Sequence, residues 1–341
     1  MIDLRSDTVT KPTEEMRKAA YEAEVGDDVY GEDPTILKLE EIAADLLGKE
    51  SALFVTSGTQ GNQVAVLTHC RSGQEIILES ESHIFYYETG AVAAFAGVQT
   101  RTIAGIRGAM DPSAVQYAIR DEDQHFPETG LICLENTHNR AGGAVVPISN
   151  MKEIYYIAVE NNIPVHVDGA RLFNSAAAVD KPVQKFTQYC DTVQICLSKG
   201  LGAPIGSILA GSREFIMRAR KWRKRLGGGL RQAGVIAAPG LIAITKMRDR
   251  LIEDHENAKY LSDGLQQING LQIVNKVETN IIVADVKDLN ISSSQFVEKL
   301  KENGVLAVAF GPSSVRFVTH YDVSRDDITN ALSAINKAAH S

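Results

Sequence analysis

The chain of 341 residues predicts an α/β fold: a large domain on a mostly parallel seven-stranded sheet between helices, plus a small C-terminal α+β domain. Three observations carry this. From about residue 51 to residue 211, short apolar runs alternate with amphipathic helical stretches, the pattern of a parallel sheet covered on both faces. Two of those runs, Ile163-Pro-Val-His-Val-Asp168 and Val193-Gln-Ile-Cys-Leu-Ser198-Lys199, stop at polar residues and then break on glycine. Buried parallel strands end in this way at their carboxyl termini. Beyond Leu271 the pattern changes to strand, helix, strand, strand, helix, a compact α+β unit.

The elements follow in order. Residues 1–50 are expected to pack with the small domain or to cross the core as an arm. Strands are predicted over 52–56, 75–78, 99–103, 131–135, 164–168, 192–197 and 206–210. Helices between them are predicted over 59–70, 112–120 and 150–161, the first and last starting at good caps. Asp111-Pro112 marks a helix start, with aspartate at the N-cap and proline at the first helical position. A long helical stretch over 232–268 then leaves the sheet region. The large domain is accordingly assigned to 51–250 and the small one to 251–341. No internal repeat, low-complexity segment or flexible linker interrupts the pattern.

Hydrophobic residues make up 44% of the chain and charged residues 23%, an ordinary globular balance. That length is enough for one large core and a smaller domain. A formal net charge of -8 provides no overall basic field to meet phosphate, which argues against a nucleic-acid partner. The opening Met1-Ile-Asp-Leu-Arg-Ser-Asp-Thr8 lacks a basic segment followed by an apolar one, so no signal peptide is expected. No apolar run approaches a membrane span, and the stretch near 235–244 is cut by Pro239 and Gly240. Cys70, Cys133, Cys190 and Cys196 show neither CxxC nor His/Cys ligand spacing. A cytoplasmic setting is expected, with no disulfide framework and no metal site. The basic run Arg213–Arg225 reads as a solvated helix face before it reads as a nucleic-acid site; a third reading is a subunit interface lending cations to a neighbour.

In open α/β sheets, ligands sit at the carboxyl ends of the strands. A carboxylate and a lysine delivered there, Asp168 and Lys199, are the pair a pyridoxal phosphate (PLP) site needs. The lysine forms the Schiff base and the aspartate holds the pyridinium nitrogen protonated. The plainer alternatives are a solvated lysine and a helix-capping aspartate. Val55-Thr-Ser57-Gly58-Thr59-Gln60-Gly61-Asn62 follows a strand and opens a helix. Its small residues and helix N-terminus suit an anion, with Gly58 and Thr59 nearest the phosphate. It lacks the GxGxxG and GxxxxGK patterns, so dinucleotide and P-loop readings are poor. His83 offers a ring to stack on the pyridine, or is a core histidine bonded to backbone. Arg171 could clamp a substrate carboxylate or the ring hydroxyl, or pair with a surface acid.

Further runs carry a resemblance. Asp3-Leu-Arg-Ser6-Asp-Thr-Val-Thr10, Val25-Gly-Asp-Asp-Val-Tyr30-Gly-Glu-Asp-Pro34 and Leu134-Glu-Asn-Thr-His-Asn-Arg140 resemble L-threonine aldolases. So do His166-Val-Asp168-Gly-Ala-Arg171, Leu197-Ser-Lys199-Gly-Leu-Gly202 and Gly227-Gly-Gly-Leu-Arg231-Gln232, in order along essentially the whole chain. The resemblance implies a PLP-dependent lyase of the aspartate aminotransferase fold. It would cleave L-threonine, L-allo-threonine and related L-β-hydroxy-α-amino acids reversibly to glycine and an aldehyde. It also implies roles. Lys199 is the Schiff-base lysine, Asp168 the pyridinium partner, His83 the stacked ring, and Gly58 and Thr59 the phosphate contacts. Ser6, Arg171 and Arg316 match the carboxylate-binding positions, and His125 a histidine near the substrate hydroxyl. Tyr30, Lys224 and Arg231 match residues that complete the site, some from a neighbouring subunit of a homotetramer built from dimers. The general base stays open between His83, His125 and a water. The competing readings are a β-eliminating lyase of aromatic amino acids, a non-enzymatic binding protein on the same fold, and a nucleic-acid binder using Arg213–Arg225.

Overall fold

The large domain is built on β1 (Ser51–Val55), β2 (Glu75–Glu79), β3 (Gln99–Ile103), β4 (Thr129–Glu135), β5 (Val165–Asp168), β6 (Thr192–Cys196) and β7 (Ser207–Gly211), in a computed structural model that describes residues 1–340. These strands form one sheet in the order β1-β7-β6-β5-β4-β2-β3. β7 runs antiparallel to both of its neighbours and every other pair is parallel, the mostly parallel sheet that the alternation predicts. The reversal into β7 passes through Gly206, with φ +106 and Phe54 ring carbon 2.4 Å from where a Cβ would sit. Only glycine fits that turn.

Strand alternation separates a packing face from a chemical one. Val165 and Val167 of β5 enter the main core with Ile154, Ala158, Val193 and Ile195. His166 and Asp168 point the other way, toward the helix Gly58–His69, where both meet Asn62. Register sets Glu135, Asp168 and Gln194 side by side on β4, β5 and β6, so their side chains share that face. The parallel strands all end on one side of the sheet, and that is where the polar residues gather.

Residues 1–50 divide between two cores. Ile2–Asp3 pairs in parallel with Val305–Leu306, and Leu4 lies in the small-domain core. Met16 of Glu14–Tyr21 and Ile36, Leu39, Ala43 and Leu47 of Pro34–Leu47 lie in the large-domain core. The small domain has β8 (Gln272–Ile273), β9 (Ile281–Asp285), β10 (Val308–Ala309) and β11 (Ser314–Val318), an antiparallel sheet ordered β8-β9-β11-β10. Helices Ser293–Glu302 and Arg325–Ala339 pack in the same core, each opened by a capping box.

Three helical expectations change. The stretch 232–268 is not one helix: Gly234–Ile242 runs into a π turn at Ala243–Met247, and a separate helix spans Leu251–Leu265. Pro239, inside the first piece, has no N–H to donate and crowds the carbonyl one turn back, and the helix widens after it. The third sheet helix begins at Ile148 rather than at 150. Asn150 does not cap it; its amide donates to the Met110 carbonyl at 2.8 Å. Nor is Arg213–Arg225 wholly a solvated face, because Arg223 is buried, donating to the Phe54 carbonyl (2.9 Å) and to Asp28 (2.7 Å). Among the described residues, no helix is long and apolar enough to cross a membrane. All four cysteines are free.

Candidate active site

A cavity of about 350 Å³ opens where the strand ends, the N-terminal arm and the small domain meet. The large domain contributes His83, Tyr87, Asn139, Arg171 and Lys199 to its wall; the arm contributes Ser6 and Thr8; the small domain contributes Phe310 and Arg316. Lys199 follows β6, and its backbone carbonyl is held by Thr10 Oγ1 (3.0 Å) and the Gly202 N–H (2.9 Å). Those bonds fix the turn that presents the amine. Arg316 reaches the wall from β11, paired with Val283 and Val308.

Two arginines set the charge of this wall. Arg171 is buried and grips Asp7 through Nε (2.8 Å) and Nη2 (2.6 Å). Burial would raise the Asp7 carboxyl, but the charge and hydrogen bonds of Arg171, with help from Lys199, hold it far below the usual carboxylate range. Arg316 donates to Asn139 Oδ1 (3.0 Å) and to the Arg5 carbonyl (3.2 Å), and its buried Nε has no partner. Burial, then repulsion from Arg171, pull its guanidinium down to about 10 against the opposing charge of Asp7. Of the two guanidinium groups, Asp7 is bonded to that of Arg171 alone and Arg316 meets only neutral oxygens, so an anionic ligand is favoured.

Asp168 lies beside the wall, almost fully buried. Asn62 Nδ2 donates to its Oδ2 (2.8 Å) and the Ala170 N–H to its Oδ1 (3.1 Å). Asn62 is oriented in turn by His166 Nε2 (3.1 Å). Burial pushes the His166 imidazole down to about 4 against the pull of Asp168, so it stays neutral. His83 Nδ1 meets Glu88 Oε1 at 3.1 Å. Ligand-type atoms of His83, Glu88 and Asp168 lie within 4.8 Å of one another. Amide N–H groups of Asn62, Gln63 and Ala170 already occupy both carboxylates, so the cluster is bonded internally.

The helix Gly58–His69 is capped by Ser57, which takes the Gln60 N–H, and among the described residues the Gly58 and Thr59 amides have no protein acceptor. At Gly58 a Cβ would sit 2.9 Å from Cys196 Sγ, so the close approach of helix to sheet admits no side chain. Gly58, Thr59 and Asp168 do not line the cavity, and four other expected residues stand apart from it within one chain. His125 is exposed and bonded to Asp123 (2.6 Å). Tyr30 is exposed, and Arg231 pairs with Asp27 (2.9 Å) while its carbonyl takes the Asp28 N–H. Lys224 lies against Gly229 in the same Gly-rich segment. Asp7, Asn62, Glu88, Tyr87 and Asn139 are the site residues that sequence reasoning did not single out.

Residues 3–289 match the β-eliminating lyase family. Low-specificity L-threonine aldolase 1 of Arabidopsis thaliana is 44% identical over 343 residues, covering 99% of this chain and 96% of that protein. The low specificity L-threonine aldolase of Escherichia coli K12 is 44% identical over 329 residues, covering 96% of each. The solved threonine aldolase of Leishmania major superposes with a TM-score of 0.85 at 17% identity, covering 99% of this chain and 100% of that one, and shares the fold. The chain belongs to the β-eliminating lyase family and, within it, to the L-threonine aldolases, which are PLP-dependent lyases.

Proposed function

We propose that the chain cleaves the Cα–Cβ bond of L-threonine, L-allo-threonine and related L-β-hydroxy-α-amino acids to glycine and an aldehyde. The observation that carries the reading is the cavity wall, where Arg171, held by Asp7, and Arg316, bonded only to neutral oxygens, stand beside Lys199. The buried, unpartnered Nε of Arg316 is a donor that a substrate carboxylate would satisfy. The residues present also fit PLP: Lys199 for its aldehyde carbon, Asp168 for the ring nitrogen, His83 for the ring face, and the free amides of Gly58 and Thr59 for the phosphate. When bound, PLP supplies an electron sink for the pair released from the Cα–Cβ bond.

The chain's own residues do the rest. Ser6, Arg171 and Arg316 hold the carboxylate and thereby orient the bond to be broken. Asp168 would face the ring nitrogen and favour its protonated form. His83 stands on the wall where a base for the β-hydroxyl proton is needed. Tyr30, Lys224, Arg231 and His125 join the site from a neighbouring subunit of a homotetramer in this reading. Their exposure, with the apolar Val29 exposed beside Tyr30, supports an interface there. The free cysteines suit a cytoplasmic protein.

PLP-loaded protein offered L-threonine and L-allo-threonine separately should release acetaldehyde and glycine in equal amounts, and Lys199→Ala should release neither. Ammonia and pyruvate instead would move the chain to β-elimination. Full activity in Lys199→Ala would overturn the site.

A further inference from the structure

Glu88 is a carboxylate with a single ionisable partner. Its side chain is fully buried, and Asn62 Nδ2 (2.8 Å), Gln63 Nε2 (2.6 Å) and His83 Nδ1 (3.1 Å) meet its two oxygens. Among the described residues, no lysine or arginine pairs with it. Two of the three contacts are neutral amides, so the only countercharge within reach is an imidazolium at position 83. An ionised carboxylate has no hydrogen to give, so the contact at 3.1 Å requires the proton on Nδ1. Nε2 is then the nitrogen without a protein partner, on a residue that lines the cavity.

We infer that Glu88 is a positioning residue for His83, fixing the imidazole with Nδ1 protonated and setting, through its buried charge, how readily Nε2 carries a proton at the cavity wall. Asn62 holds the arrangement together, because its two N–H groups are divided between Glu88 and Asp168. The charged and titratable groups that face His83 are few. Glu88 and Asp168 favour its protonation and Lys199 opposes it. Glu135 takes its backbone N–H (2.6 Å), the Tyr87 ring lies 5.5 Å away, and Arg171 and Arg316 line the same cavity. Burial pulls the imidazole down, yet the hydrogen bond and charge of Glu88, with that of Asp168, leave it above the ordinary value. A neutral amide at position 88 removes the charge and can itself donate to Nδ1, which would turn the tautomer over. What the proton is used for rests on the aldolase reading; the pairing does not.

The test is the exchange of the histidine C2 hydrogen, followed by mass spectrometry of peptides from PLP-loaded wild type, Glu88→Gln and Glu88→Asp. It is run from about pH 5 to 9, with kcat and KM for L-threonine measured in parallel. In Glu88→Gln the His83 pKa should fall by about one unit or more, the acid limb of kcat should move with it, and Glu88→Asp should retain more of the wild-type value. An unchanged pKa and acid limb in a Glu88→Gln protein of normal PLP content and melting temperature would overturn the inference. Should that variant not fold, the wild type decides: a His83 pKa above 6.5 supports the pairing and one at or below 6.5 removes it. No aldehyde from the wild type would defeat the aldolase reading, while the exchange data would still decide the role of Glu88.

Discussion

Arg171 is a buried cation whose ion-pair partner, Asp7, lies 164 residues away in sequence. The pair ties the N-terminal arm to the segment after β5 and aims the guanidinium at the cavity. Removing one partner leaves an uncompensated buried charge, so Asp7→Ala should lower stability by about 3–5 kcal/mol in urea denaturation at neutral pH. The pH dependence follows from the direction of the shift. A carboxyl held below its unfolded value of about 3.9 contributes stability that is complete above that value and is lost as pH falls toward the folded pKa. The gap between wild type and Asp7→Ala should therefore be constant down to about pH 5 and close below it. A gap that persists into acid would mean that packing, not charge, holds the arm. Asp168 and Lys199 are legible in the sequence because each ends an apolar run whose own pattern says which end of a strand it occupies. Asp7, Asn62 and Glu88 are not, because their partners are fixed by tertiary contact: Asn62 and Asp168 are 106 residues apart.

Among the elements, most strands of the large sheet were readable because burial on both faces favours short apolar runs such as 52–55 and 76–78. The helix Pro34–Leu47 was hidden inside a segment expected to be an arm or part of the small domain. Its key residue is Asp33, buried at its N-cap. One oxygen takes the Ile36 N–H (3.0 Å), and the other takes the N–H groups of Gly26 (3.2 Å) and Gly234 (2.8 Å). A cap alone is worth about 1 kcal/mol, and each buried donor left unpaired costs about 1–3 more. Asp33→Ala should thus cost more than an ordinary cap, about 3 kcal/mol by chemical denaturation. A loss near 1 kcal/mol would show that water replaces the two glycine contacts. The stretch 232–268 was misread for a related reason. Its apolar periodicity runs on through Pro239, and periodicity cannot report where the backbone loses a donor and loosens into a π turn.

On the scale of the whole molecule, the large sheet brings Lys199 and Arg171 to one cavity with Asp168 beside it, and the small domain adds Arg316. Tyr30, Lys224 and Arg231 stay on a surface away from its wall. Sequence resemblance implied that some of these residues serve a neighbouring subunit without saying which, since linear order carries no information about a second copy. If they serve the neighbour's cavity, two inactive variants should complement each other. Lys199→Ala keeps a sound Lys224, and Lys224→Ala keeps a sound Lys199. In a hybrid dimer one site combines both defects and the other combines neither. Equal amounts unfolded, refolded together and loaded with PLP should therefore regain about a quarter of wild-type aldehyde release, because half of the dimers are hybrids with one intact site each. If Lys224 acts within its own chain, no hybrid holds an intact site, and the mixture should stay at the mean of the two parent proteins.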